Sequence, residues 1–174
     1  MLDVAISYNR YKFLGYEYLT WLWFVIEKDQ DRIRGLGQEP ADLEIGNRIV
    51  LENKKRDAVE SITIKGDDAG LEEGVLALRK GGVVTELNLS YRAADQDWRF
   101  TVKAESLHMA GLKCPKTGPV ESEEDIEGAV LEKVYLCEKA VQLTHDLFKE
   151  FMRLRVSEDW DKKVVPLMRQ WMRS

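Results

Sequence analysis

The sequence predicts an α+β fold, with an antiparallel β-sheet packed against an aromatic N-terminal helix, then a long C-terminal helix and a final shorter helix. Three observations carry this. Residues 13–28, FLGYEYLTWLWFVIEK, place apolar side chains at helical spacing. Residues 83–104 contain two runs of apolar–polar alternation joined by a polar turn. From Asp125 to Arg155 there is no Pro and Gly128 is the only Gly, while apolar residues step by threes and fours.

In the first helix, Leu14, Tyr18, Trp21, Leu22 and Val25 share one face, and Trp23 and Ile26 widen the stripe beyond half the circumference. A helix of that kind needs cover on two sides. Gly35, Gly37 and Pro40 then mark a loop. LEIGNRIVLE suggests two short strands, 43–45 and 48–52, turning as a hairpin at Gly46-Asn47. After the polar NKKRD, AVESITIK alternates weakly enough to suggest one more strand. DDAGLEEGVLALRKGG begins with acids and ends with Arg79, Lys80 and two glycines, which is helix punctuation.

The clearest strands follow. Val83, Thr85, Leu87, Leu89 and Tyr91 share a face against Glu86, Asn88 and Ser90. Trp98, Phe100, Val102 and Ala104 share a face against Arg99, Thr101, Lys103 and Glu105. Joined by RAADQD, they form an antiparallel hairpin with one buried side. SLHMAGLKC continues as a further strand. PKTGPVESEE, 115–124, is linker-like. Val130, Val134, Cys137, Val141, Thr144, Phe148, Phe151 and Arg155 then form a heptad-like seam, flawed at Thr144 and Arg155, that asks for a neighbouring helix or a second chain. Ser157 followed by acids suggests the N-cap of a last helix running to about Met172, with Pro166 as a kink or break.

The 174 residues fit a single domain, 1–174, divided into a helix-plus-sheet part (1–114) and a helical part (125–174). Net charge is −5, so the strongly basic footprint common among nucleic-acid binders is missing from the composition. The charge is uneven: residues 121–148 hold two bases against eight acids, and residues 149–174 hold seven bases against four acids. The apolar run 18–26 is far short of the roughly 20 residues a membrane span needs. MLDVAISYNR lacks the pattern of a signal peptide. Cys114 and Cys137 read as free thiols, one disulfide being possible, in a reducing, cytoplasmic setting.

Cys114, Cys137, His108 and His145 lack metal-ligand spacing. No nucleophile elbow and no phosphate-binding glycine loop is present. The chain therefore reads as a non-enzyme without cofactor or small-molecule substrate. Candidate DNA-backbone contacts are Lys54, Lys55 and Arg56 in a loop, Arg79 and Lys80 at a helix end, Arg99 and Lys103 on a polar strand face, and Lys113. Val130, Val134, Cys137, Val141, Phe148 and Phe151 are the candidate dimer or partner seam, with Met1–Tyr11 as an arm toward a partner.

Several segments resemble the RdgC family, the recombination-associated DNA-binding proteins of bacteria. FLGYEYLTWLW (13–23) is similar to a family segment of the form F-L-G-x-E-F-L-T-W-L-W. IGNRIVLE (45–52), ALRKGGVVTELNLSY (77–91), WRFTVKAESLHMAGLK (98–113) and LEKVYLCEKAVQL (131–143) are similar at the level of pattern. The resemblance spans about residues 13–172. It implies an α+β protein that dimerises, in the family's full-length members, into a ring around duplex DNA, binds DNA with little sequence preference, restrains RecA-type recombinases and has no enzymatic activity. Arg79 and Lys80 lie in a matching segment. Set beside this is a second expectation, an interaction module that holds a partner protein in place of DNA.

Overall fold

The structure is a computed structural model. It describes residues 11–36, 41–55 and 58–174, and within them all side chains but those at 54, 55, 68 and 69. Arg56, the side chains of Lys54 and Lys55, the loop residues Gly37 and Pro40, and residues 1–10 of the expected arm lie outside the described residues.

Helix α1 (Phe13–Lys28) leads through the short α2 (Gln30–Arg34) into strand β1 (Ala41–Lys55). Strand β2 (Ala58–Ile64), helix α3 (Asp68–Arg79), and strands β3 (Val83–Ala93), β4 (Gln96–Lys103) and β5 (Met109–Lys113) follow. The long α4 (Glu123–Arg155), a π-helical turn (Trp160–Val164) and α5 (Val165–Trp171) complete the chain. The sheet order is β2-β1-β3-β4-β5, and every neighbouring pair is antiparallel.

The apolar residues of α1 explain the layering. Trp21, Trp23, Leu19, Leu22 and Val25 are all buried. One side of the helix packs on the sheet, whose inner face presents Leu43, Ile49 and Leu51 from β1, Leu87 and Leu89 from β3, and Trp98 and Phe100 from β4. Its other side is covered by α4 and α5. The Tyr18 and Phe148 rings meet edge-on at 5.2 Å, Trp21 and Phe151 lie 5.6 Å apart, and Trp171 sits 5.5 Å from Trp23 and 5.7 Å from Phe24. The Glu27 carboxylate ties this layer together, accepting from the indole N–H of Trp23 at 2.5 Å and of Trp171 at 2.9 Å. Each buried indole is worth roughly 4–6 kcal/mol of apolar burial before conformational entropy is charged.

All five tryptophans are internal: Trp21, Trp23, Trp98, Trp160 and Trp171. The aromatic segment is thus a core helix whose two tryptophans are buried, with Phe13 at its start the exposed ring. Among the described residues no helix is long and apolar enough to cross a membrane.

Three local expectations change. The hairpin at Gly46-Asn47 does not form; β1 is one strand with a bulge. Ile45 pairs with Leu89 and Ile49 with Leu87, so Gly46, Asn47 and Arg48 oppose Asn88 alone. The bulge keeps the apolar residues on both sides of it facing the core, and the Asn88 side chain accepts the Asn47 N–H at 3.2 Å. Ser157 does not cap the last helix. Its hydroxyl donates back to Leu154 O at 2.7 Å and closes α4 instead. Pro166 stands in the first turn of α5, where no backbone N–H is required, directly after the π-helical turn.

The expected seam on α4 divides. The face that packs internally is Leu136, Ala140, Leu147, Phe151 and Leu154. Phe151 belongs to it and Phe148 packs at its edge, whereas Val130, Val134 and Val141 are exposed and Cys137 is half-buried. Arg155 pairs with Glu17 at 2.7 Å and lies over the Trp160 ring.

Helix α1 approaches the sheet most closely at Gly15, where an added Cβ would stand 1.8 Å from the Ala104 carbonyl oxygen. Backbone cannot yield as a side chain can. Gly15→Ala is expected to destabilise the fold by about 1–3 kcal/mol, although alanine is the better helix former by about 1 kcal/mol. Urea denaturation checks this, and an unchanged or raised midpoint would contradict the close packing.

Candidate nucleic-acid interface

With α1 on one face of the sheet, the opposite face of β1, β3, β4 and β5 carries the polar half of each alternating strand. Asn88, Ser90, Arg99, Thr101, Lys103 and Lys113 point there. Registry sets them in rows: Glu44 faces Ser90, Ser90 faces Arg99, and Arg99 faces Lys113. Asn88 faces Thr101 and Glu86 faces Lys103.

The β4–β5 pairing is irregular between Arg99 and Thr101, and Gly111 sits at a φ of +62° in the short edge strand. That left-handed conformation suits glycine, and the resulting bulge sets Lys113 beside Arg99. A shallow cavity of about 390 Å³ opens here, lined by Gly46, Asn47, Asn88, Ser90, Arg99, Gly111 and Lys113. Asn88 is fixed beneath it, donating to Phe100 O at 3.2 Å and to the Thr101 hydroxyl at 3.0 Å.

The charges on this face do not cancel. Glu86 serves two cations, accepting from Arg48 at 2.6 Å with Lys103 at 3.6 Å. Arg99 and Lys113 are exposed and have no ion-pair partner among the described residues. The acid in their cross-strand row, Glu44, is two strands from Arg99, roughly 10 Å at the usual strand spacing, and Asp97, two residues along β4 from Arg99, is taken by Arg92. Arg92 is neutralised by Asp97 at 2.9 Å, which holds its guanidinium firmly protonated. A locally basic surface therefore exists in an acidic chain.

Of the candidate contacts, the structure gathers Arg99, Lys103 and Lys113 on this one face. Arg79 and Lys80 lie elsewhere, at the C-terminal end of α3 on the helix-covered side. The Arg79 guanidinium donates to the Met172 carbonyl at 2.8 and 2.5 Å, holding the end of α5. Arg48, Asn47 and Asn88 join the face without having been singled out from sequence. Arg48 was masked by the expected hairpin, and Asn88 shows only as a polar position in an alternating strand.

The acids are concentrated elsewhere. From Glu123 to Tyr135 every residue of α4 except Ala129 is exposed, and Leu136 is the first buried one. This arm, about 20 Å long at the helical rise, carries exposed Ile126, Val130, Leu131, Val134 and Tyr135. Its start is held by a reciprocal cap. The Asp125 carboxylate accepts from the Ser122 hydroxyl at 2.8 Å and from the backbone N–H groups of Ser122 and Glu121 at 2.9 and 3.2 Å.

No protein-family model matches the chain, and no curated protein matches it in sequence.

The hydrogen bond from the Ser122 hydroxyl, with the backbone N–H groups of Glu121 and Ser122, holds the Asp125 carboxyl below its ordinary value. A depressed folded-state value stabilises the helix start above the ordinary carboxylate range, and that support is lost as pH falls through the depressed value. An NMR titration of Asp125 is expected to give a midpoint below about 3.9, with the amides of the first turn of α4 shifting at the same pH. A midpoint at or above the ordinary value would contradict the cap.

Proposed function

We propose that the chain is a non-enzymatic, RdgC-like protein that binds duplex DNA without sequence preference and modulates recombination. The observation that supports this most is the polar sheet face bearing Arg99 and Lys113, neither of which is engaged in an ion pair among the described residues. Backbone binding asks for cations, polar hydrogen-bonding groups and an accessible surface. Asn47, Asn88 and Ser90 supply the polar groups, and Arg48 and Lys103 share one carboxylate. The acidic arm is rooted at the edge of this sheet, with Cys137 3.4 Å from Cys114, and its charge would repel DNA wherever the two approached. This favours a binding mode in which the arm points off the duplex.

Fluorescence anisotropy with a labelled random-sequence duplex, at several salt concentrations, tests this. Wild-type affinity is expected to fall steeply with salt. The double reversal Arg99→Glu with Lys113→Glu is expected to lower affinity at least tenfold for every sequence, and to flatten the logarithmic salt slope by about 2. Arg79→Glu is expected to leave affinity unchanged while weakening the hold on α5. Equal affinity in wild type and the double variant would remove the sheet face as the interface.

A second reading, a dimerisation or partner-binding scaffold, is favoured by the arm of α4. An exposed helix of this length with five large apolar side chains is marginal in water by itself. An antiparallel second copy centred near residue 138 would set Val134 against Val141 and Glu127 near Lys149. Val130→Glu with Val134→Glu is then expected to convert a dimer to a monomer in analytical ultracentrifugation. A wild-type chain that is monomeric at high concentration would exclude self-pairing through the arm.

A further inference from the structure

We propose that Cys114 and Cys137 are a reversible dithiol–disulfide pair that locks the neck of the α4 arm to the edge of the sheet. Both are free, half-buried thiols, and their Sγ atoms lie 3.4 Å apart. Cys114 directly follows Lys113, the last residue of β5. Cys137 directly follows Leu136, the residue at which α4 enters the core. The chain leaves the body after Cys114, runs out through 115–122 and returns along α4. Gly118 N–H donates to Glu132 across this excursion at 3.3 Å. The two sulfurs therefore close the base of a loop in which no residue from Glu123 to Tyr135 is buried.

The geometry needs little change. A disulfide requires an S–S separation of about 2.0 Å, so the sulfurs must approach by roughly 1.4 Å. Cys114 stands just outside β5, ahead of Pro115, where a side-chain rotation and a small backbone adjustment disturb no ladder hydrogen bond. Cys137 is fixed more firmly, because its neighbour Leu136 accepts the Trp98 indole N–H at 2.9 Å.

The chemistry is exchange with a small disulfide such as oxidised glutathione. One protein thiolate attacks the glutathione disulfide, forming a mixed disulfide and releasing one glutathione thiolate. The second protein thiolate attacks the mixed disulfide at the protein sulfur, forming the Cys114–Cys137 bond and releasing the second glutathione. Two protein thiols are oxidised, one glutathione disulfide is reduced, and the two protons end on the released glutathiones. Burial, and then the hydrogen bond to Cys137, push the Cys114 thiol up to about 11. Little of it is thiolate at neutral pH, so exchange is slow there and accelerates as pH rises.

The full chain, fully reduced, is equilibrated in glutathione buffers of increasing oxidised fraction, quenched with an alkylating agent and weighed intact. Both thiols are expected to disappear in one step within a monomer, with peptide mapping joining Cys114 to Cys137. The oxidised protein is expected to melt about 5–10 °C higher than the reduced protein. Cys114→Ser and Cys137→Ser are each expected to stop at a glutathione mixed disulfide on the remaining cysteine. Thiols that stay alkylatable at every ratio, wild-type protein that ends as a mixed disulfide, or a bond formed between two chains would overturn the proposal. No DNA is used, so the result stands apart from the reading of the sheet face.

Discussion

The burial of α1 on both sides is the constraint on which the rest of the molecule depends. Trp21, Trp23, Leu19 and Leu22 cannot be covered by a sheet alone, since they occupy more than one side of the helix. The sheet takes one side and α4 and α5 take the other, with Phe151, Phe148 and Trp171 as the closing rings. Glu27 meets the polar need this creates by accepting both the Trp23 and Trp171 indole N–H groups. Since the helices use the apolar face of the sheet, the polar face is left uncovered by the described residues. The surface proposed for DNA is thus a consequence of how the core is closed.

Charge follows the same division. The chain is acidic as a whole, but much of the excess acid lies in residues 121–148, at and along the exposed arm of α4. Arg48, Arg92, Arg99, Lys103 and Lys113 lie on the sheet face against Asp42, Glu44, Glu86 and Asp97. Bulk net charge is a poor guide when residues 121–148, with eight acids against two bases, hold an excess of acid larger than that of the whole chain. The pair of thiols stands where these two regions meet, since Cys114 follows a sheet cation and Cys137 is at the root of the arm.

Much of the architecture was legible in the sequence, because periodicity reports which side chains must be buried. The range 13–28 for α1, the alternation of β3 and β4, and the long uninterrupted α4 all rest on such patterns. Partners were less legible. Gly46-Asn47 carries local turn chemistry, yet long-range pairing of Ile45 and Ile49 to one strand turned it into a bulge. On α4 the apolar positions were visible, but two stripes lie on different sides of the same helix. Leu136, Ala140 and Leu147, which face the core, were not separated from Val130, Val134 and Val141, which do not. Likewise Arg79 and Arg99 look alike in sequence. Only the fold shows that one guanidinium is committed to Met172 and that the other has no ion-pair partner among the described residues. The approach of Cys114 to Cys137 leaves no spacing signal, since it joins a strand end to a helix across a loop.

The most direct test of the open sheet face is an NMR titration of the labelled protein with a short random-sequence DNA duplex, following backbone and side-chain amide shifts. Binding through this face is expected to move Asn47, Asn88, Ser90, Arg99, Thr101, Gly111 and Lys113 together, with α1 and α5 still. Shifts confined to the end of α3 around Arg79 and Lys80, to the arm of α4, or absent altogether would contradict it.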